Sequence, residues 1–508
     1  MGSGAQATVN PSQPDSGHPD DTLLIVGGYT DIDLLAHTPC VKSHDVVTCL
    51  GADQSGDQNL NVNLADIAQL KSKLKTGVHV LRLCGRTGSL THLSTNSIGP
   101  NVAFICKSPV NDRLLYASTE RIDDEGEIIT LRLRSDFTLE QLHRTKAGGR
   151  STCYLNFNKS KQWLMAIHYW DAKISCFDLE KETGRLGDSP RSVLMQEGAK
   201  YVDETKPTRE EHWQYRQKWP HSHCVVTEPY HGLIHFVVDL GLDRVFAYRV
   251  DSTKGTLVQK GSIKLPKGKG PRHLVFHPTQ KAAYLVNELD STVSCFKVNL
   301  PSRWVVNLNG PGVEENNETD CEEQGAVLEL TANVSSLPEC EQGKSVISPQ
   351  GIWKAKSHSS EIRMHPNGKF FVVGNRGHDS VATFEVTDFT TDKQSEKTSG
   401  GISLVNITSS GGECPRNFNW AGNGRYLVVG NQNSSTMCVF GFDAEKGQVS
   451  RTPVFSSQVA SPNYVFSQPF SDSVFDHGND ATVEDAMLVE DAVETPPRDV
   501  EVAVAIPA

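Results

Sequence analysis

Four stretches of this 508-residue chain repeat one pattern: a turn, an apolar strand, a His-Pro or similar turn, a second apolar strand and a short polar exit. The clearest copy is GPRHLVFHPTQKAAYLVNELDSTVSCFKV (270–298). The others are PHSHCVVTEPYHGLIHFVVDLGLDRVFAYRV (220–250), SSEIRMHPNGKFFVVGNRGHDSVATFEV (359–386) and CPRNFNWAGNGRYLVVGNQNSSTMCVFGFD (414–443). A repeat of roughly 50 residues made of strands alone points to a β-propeller, each repeat forming one blade. Repeats begin near 100, 149, 220, 271, 360 and 415, and ASPNYVFSQP (460–469) opens another with no strands after it. The missing strands are TLLIVGGYT (22–30) and GVHVLRLC (77–84) at the other end of the chain. Pairing the last strand with the first blade closes the ring and leaves no open edge between its ends. The expected fold is therefore all-β, a seven-bladed β-propeller closed by its N- and C-terminal strands.

The propeller is expected to occupy 22–469, after a disordered leader at 1–21. Insertions are expected at 31–76, 180–218 and 303–358, the first carrying a helix over NLADIAQLKSKLK (63–75). Loops of such length are lids or disordered segments. Residues 470–508 form an acidic, solvated tail with ten Asp/Glu against the single Arg498, so nine of the chain's twelve net negative charges sit there and the body carries only −3. A near-neutral body has no broad basic surface, which argues against nucleic acid as a partner. No apolar run reaches the roughly 18 residues of a membrane span, and the N-terminus lacks the pattern of a secretory signal. Scattered cysteines, among them Cys153, Cys176, Cys295 and Cys438 within strands, fit buried thiols of a reduced, cytoplasmic protein. Nothing in the sequence identifies protein partners of the tail.

Aligning the copies on the turn proline places chemistry at one rim. A hairpin returns the chain to the face it left, so Arg272, where an inner strand begins, and Glu288, where the next ends, share a face. His223 and Arg416 hold the position of Arg272 in other copies; Glu120, Tyr169, Arg376 and Gln432 hold that of Glu288. Strand alternation puts Arg363 near the axis as well. Several arginines around a partly enclosed pocket suit a small anionic ligand, because guanidinium groups grip carboxylate or phosphate through paired hydrogen bonds. His223 can move protons near neutral pH. The candidate catalytic residues are thus His223, Glu288 and Arg272, and the candidate binding residues are Arg363, Arg376, Arg416, His221 and His273. The alternative is that the arginines tie neighbouring blades together through carboxylates and strand-end carbonyls.

At these same residues the chain resembles a known family. RQKWPHSHCVV, GPRHLVFHP with VNELDSTV, EIRMHPNGKF with NRGHDSVA, and PRNF with GNQNS are similar to motifs of the lactonase family of seven-bladed propellers, which includes bacterial 6-phosphogluconolactonases and fungal carboxy-cis,cis-muconate cyclases. The resemblance runs from about 99 to 469, with the first strand at 22–30. It implies that His223, Arg272 and Glu288 stand at positions of catalysis or substrate binding, assisted by an arginine of the following blade, Arg363 or Arg376. IHYWDAK (167–173) departs from the Asn-Tyr-Gly-like turn of the family, and Cys153 stands where a small or hydroxyl residue is commoner.

The expected activity is opening of a small anionic sugar lactone such as 6-phosphogluconolactone, with no metal and no cofactor. Lactone closure on a carboxylated muconate would use the same residues. A non-catalytic propeller binding protein partners is a third possibility, and its sign would be a pocket blocked by the long insertions. His221 and His223 could share a strand face and bind zinc, but no further His/Cys cluster has ligand spacing. Cys224 beside His223 is expected to point to the core. Trp170-Asp171 does not recur as a blade signature would. GKSV (343–346) lacks the upstream glycine of a phosphate loop, Pro338 standing there, and no G-x-S-x-G or H-E-x-x-H is present.

Overall fold

The computed structural model describes residues 18–36, 76–200, 202, 206–251, 254–305, 327–392, 397–470 and 501–504. The expected helix at 63–75 and most of the expected leader lie outside these residues.

The His-Pro turns of the sequence tie each blade to the next. In His277 the Nδ1 atom accepts the backbone N–H of Gln280 (2.8 Å), so Nε2 carries the proton and donates to the Gly368 carbonyl (2.9 Å) of the following blade. His365 repeats the arrangement one blade further on, its Nε2 reaching the Gly424 carbonyl at 3.0 Å. Each strand pair before and after such a turn alternates inward and outward side chains, so both faces of a blade bury apolar residues against its neighbours.

Among the described residues the ring consists of seven sheets, each built on four antiparallel strands, and Val346–Ile347 pairs with Trp353–Lys354 in a separate two-stranded sheet. Closure follows the expected register: Thr22–Gly28 pairs with Pro462–Pro469 from Thr22 opposite Pro469 to Gly27 opposite Tyr464, and with Val78–Leu83 on its other side. Core clusters fill the spaces between blades, as where Tyr284 packs on Phe371 and Phe371 stacks on Phe384. Cys224 lies in the core, fully buried among Phe236, Leu274 and Leu285.

Two expected insertions contain part of the propeller itself. Ser192–Met195 is the fourth strand of its blade, and Leu328–Ser335 is the fourth strand of the next but one. Outer strands are short or half-exposed, so their apolar alternation is diluted and they read as loop. Inside the stretch expected to be a solvated tail, Glu501–Val504 adds in parallel to the outer edge of Ser192–Met195. Among the described residues, no helix is long and apolar enough to cross a membrane.

Candidate active site

Every blade carries a β-bulge at the start of its innermost strand. The register slips between Val102 and Phe104, Thr152 and Tyr154, Ser222 and Cys224, Pro271 and His273, Ser359 and Ile362, and Pro415 and Asn417. In the closing blade it slips opposite Gly27 and Gly28, at Asn463. The unpaired residues are Ala103, Cys153, His223, Arg272, the pair Ser360–Glu361, Arg416 and Asn463. A bulge re-aims the extra residue and terminates pairing locally. Two residues earlier the backbone turns left-handed in five blades, at Asn101, Ser151, Gly270, Cys414 and Ser461. The equivalence of His223, Arg272 and Arg416 therefore has a backbone cause: all three are bulge residues.

The second strand of each blade ends beside this bulge. The N–H of Glu120 donates to the Asn101 carbonyl (2.9 Å), Tyr169 to Ser151 (2.9 Å), Glu288 to Gly270 (2.7 Å), Gln432 to Cys414 (2.9 Å) and Tyr29 to Ser461 (3.2 Å). These positions form a second ring immediately outside the first. Against these residues lies a cavity of about 460 Å³ counting its open mouth. His223, Glu288, Arg376 and Arg416 line it, with Glu120, Tyr169 and residues of the covering loops.

Glu288 is the centre of charge. Its Oε1 accepts Arg216 Nη2 at 2.6 Å, and its Oε2 lies 3.0 Å from Arg272 Nε and 2.9 Å from Arg376 Nη2. All four side chains are buried. Burial by itself would raise the Glu288 pKa; the charges of Arg376, Arg216 and Arg272 reverse this and hold it well below the usual carboxylate range. Across the cavity Glu120 Oε2 accepts the Tyr29 hydroxyl at 2.5 Å and lies 3.9 Å from Arg416 Nη2. Four guanidinium groups thus face two carboxylates. Burial and then neighbouring Arg272 and Arg416 bring Arg376 down to about 10, against the pull of Glu288. Arg216 Nε and Nη1 and Arg376 Nε find no acceptor among the described residues. This arrangement can accept further negative charge.

His223 stands beside that cluster and is connected away from it. Its Nδ1 is 3.2 Å from His273 Nε2, and His273 Nδ1 is 2.9 Å from Glu361 Oε1. Burial first, and then the charge of Arg272, hold the His223 pKa well below the usual imidazole range, so the ring is neutral at neutral pH.

The sequence profile described as "Lactonase, 7-bladed beta-propeller" matches residues 67–310 and 319–466. The chain belongs to this family. Among curated relatives of this lactonase-family propeller, the 6-phosphogluconolactonase of Bacillus subtilis is 27% identical over 73% of the chain and 85% of its own length. That of Formosa agariphila is 27% identical over 74% of the chain and 92% of its own length. The fold matches the solved structure of the Pseudomonas aeruginosa periplasmic gluconolactonase, with a TM-score of 0.60 and 22% identity over 88% of this chain and 99% of that one. A Lactobacillus plantarum protein matches with a TM-score of 0.61 and 20% identity, over 88% and 99%.

The remaining candidates fall around the cavity of this lactonase-family propeller rather than on its wall. Arg272 reaches it through Glu288 and is anchored by Nη1 on the Ser360 carbonyl at 2.5 Å. His273 lies behind His223. Arg363 is further down the channel, 3.3 Å from Glu361 Oε2 and over the Tyr464 ring. His221 is stacked on Tyr169, with Nδ1 3.1 Å from the Tyr169 carbonyl and Nε2 3.3 Å from His212. It does not share a face with His223, because the bulge separates them. Among the described residues no three His, Cys, Asp or Glu side chains are grouped to hold a metal ion.

The IHYWDAK segment packs against the covering insertions. Helix Arg209–Gln214, opened by a capping box of Thr208 and Glu211, lies in the second insertion, 180–218. Its His212 packs on Trp170 of the IHYWDAK segment and on Trp219. Trp213 meets Trp353, from the third insertion, and Arg216 lies under both indoles as its guanidinium enters the cavity. Arg209 Nη2 holds the first insertion by the Asp33 carbonyl at 2.5 Å. Arg216, Glu361 and Tyr29 were not among the sequence candidates. Arg216 has no equivalent in other repeats, whereas Glu361 stands one residue past the position that aligns with Arg272.

Proposed function

We propose that the protein hydrolyses a small anionic sugar lactone of the 6-phosphogluconolactone type. The observation that supports this most directly is the excess of guanidinium groups around a cavity that also presents a neutral histidine. Curated relatives of the same family carry the name 6-phosphogluconolactonase.

In this reading His223 takes a proton from the attacking water as its oxygen bonds to the lactone carbonyl carbon. The carbonyl oxygen becomes anionic and is stabilised by an arginine of the cavity, Arg416 or Arg376, a contribution of about 3–4 kcal/mol for a well-placed donor. Collapse of the tetrahedral intermediate breaks the ring C–O bond, and His223 returns its proton to the departing ring oxygen. Arg216 and Arg376, with their unmatched N–H groups, bind the substrate's phosphate or carboxylate. Glu288, held anionic by three arginines, positions these cations and moves no proton. The chemistry as proposed requires no metal, and a cytoplasmic location belongs to the same proposal.

A specific observation supports a second reading. Ala36, His212, Trp213 and Arg216 of the covering segments all line the cavity, so these loops narrow the pocket as they would in an interaction propeller. In the lactonase reading the segment carrying Trp213 and Arg216 moves aside to admit substrate. Comparing proton release from 6-phosphogluconolactone and from unphosphorylated gluconolactone tests the choice. A marked preference for the phosphorylated ring supports the lactonase reading; no rate above spontaneous opening on either moves it to the interaction propeller.

A further inference from the structure

A base among four arginines is useful only if its free lone pair faces the cavity, and this is a matter of tautomer. The carboxylate of Glu361 is buried and accepts on both oxygens: Oε1 from the Ile362 N–H (2.9 Å) and His273 Nδ1, Oε2 from Asn417 Nδ2 (2.5 Å) and Arg363. Burial works against its charge, while Arg363 and His273 bring it down to about 2, so it remains an acceptor at neutral pH. An acceptor at His273 Nδ1 requires that nitrogen to carry the proton, leaving Nε2 as the acceptor for His223. His223 Nδ1 must then be the protonated nitrogen, and its Nε2 is bare. Arg272 Nη1 lies 3.3 Å from both His273 nitrogens. An in-plane approach at equal distances would drive it into Cε1, so it sits over the ring face and does not compete for the Nε2 lone pair.

We infer that Glu361 and His273 are positioning residues that fix His223 as the Nδ1–H tautomer and so present the Nε2 lone pair to the cavity. The inference rests on the reading of His223 as the group that handles the proton. When water gives its proton to Nε2, the O–H bond breaks and His223 becomes imidazolium. The hydrogen bonds through His273 to the Glu361 carboxylate then oppose the repulsion from Arg272 and Arg416. The other groups facing His223 are Glu288, the Tyr169 ring and the Cys153 thiol, 4.0 Å from Nδ1. His273 also faces Arg363 and the Tyr154 ring.

The test is ¹⁵N-edited NMR of the histidine rings in the full-length protein, with kinetics on 6-phosphogluconolactone, for wild type, Glu361→Gln, Glu361→Asp and His273→Asn. Wild type should show His223 with a protonated Nδ1 and an unprotonated Nε2. Glu361→Gln and His273→Asn should mix the tautomers and lower kcat by about 10²-fold at unchanged KM, with an altered pH profile. Glu361→Asp should restore part of both. Protonated Nε2 in wild type, or an unchanged His223 spectrum and kcat in Glu361→Gln, overturns the inference. A wild-type protein silent on every lactone refutes the lactonase reading, and the ring spectra still decide the tautomer.

Discussion

Arg216, carried by an insertion between two blades, places Nη2 2.6 Å from Oε1 of Glu288, at the mouth of a third. The same carboxylate receives Arg272 and Arg376 from the propeller itself. The covering segment therefore contributes one of the charges that make up the site, and its position is coupled to the state of Glu288.

Removing Arg216 separates binding from chemistry. Arg216→Ala should raise KM for an anionic lactone about ten-fold, the effect of losing one charge-assisted contact of about 1.5 kcal/mol, with a smaller change in kcat. Steady-state kinetics check this. A lower KM would show that Arg216 obstructs the pocket and contributes nothing to binding.

Glu288→Gln leaves three buried guanidinium groups around a neutral side chain. Breaking a buried ion pair from one side costs about 3–5 kcal/mol, so urea unfolding should show a loss of that order. Inorganic phosphate should recover part of it by binding the uncovered cations in the folded state. A variant as stable as wild type would contradict the role assigned to this carboxylate.

Acid should destabilise the fold early. Burial lowers the imidazole pKa of His168 to about 3, His221 to about 3, His235 to about 4 and His273 to about 4, each below the model-peptide value of 6.5. Below 6.5 the unfolded chain binds protons that the folded state refuses. Stability is thus lost as pH falls from about 6.5 toward 4, by up to about 1.4 kcal/mol per pH unit for each such ring. Glu288 acts in a different window: its folded pKa lies well below 4.5, so its contribution is complete above that value and disappears only as pH falls further. Urea midpoints between pH 7.5 and 5 check the histidine component; a flat profile would contradict it.

Much of this arrangement was legible in the sequence because a propeller repeats its backbone. Aligning GPRH with its copies equated His223, Arg272 and Arg416, and the equivalence held since the bulge recurs at one place in each blade. Two residues are left over between Ser359 and Ile362 instead of one, so simple alternation chose Arg363 and passed over Glu361. Ser192–Met195, only four residues long, and Leu328–Ser335, half-exposed, carry too little apolar alternation to read as strands. Arg216 stands in an insertion with no repeat, where periodicity carries no information.

The bulge itself depends on the residue two before it. Gly270 has φ +57°, and a Cβ there would stand 2.2 Å from Leu289 Cγ. Gly270→Ala should destabilise the fold by about 1–3 kcal/mol and lower activity by displacing Arg272, whereas wild-type behaviour in thermal melts and kinetics would contradict that geometry.

The most direct measurement of the central claim is proton release during hydrolysis of fresh 6-phosphogluconolactone, slightly below neutral pH, by wild type and by His223→Ala of matched stability. Lactone hydrolysis at His223 requires a wild-type rate well above spontaneous opening and a fall of about 10²-fold or more in the variant. Equal rates in the two proteins would contradict it.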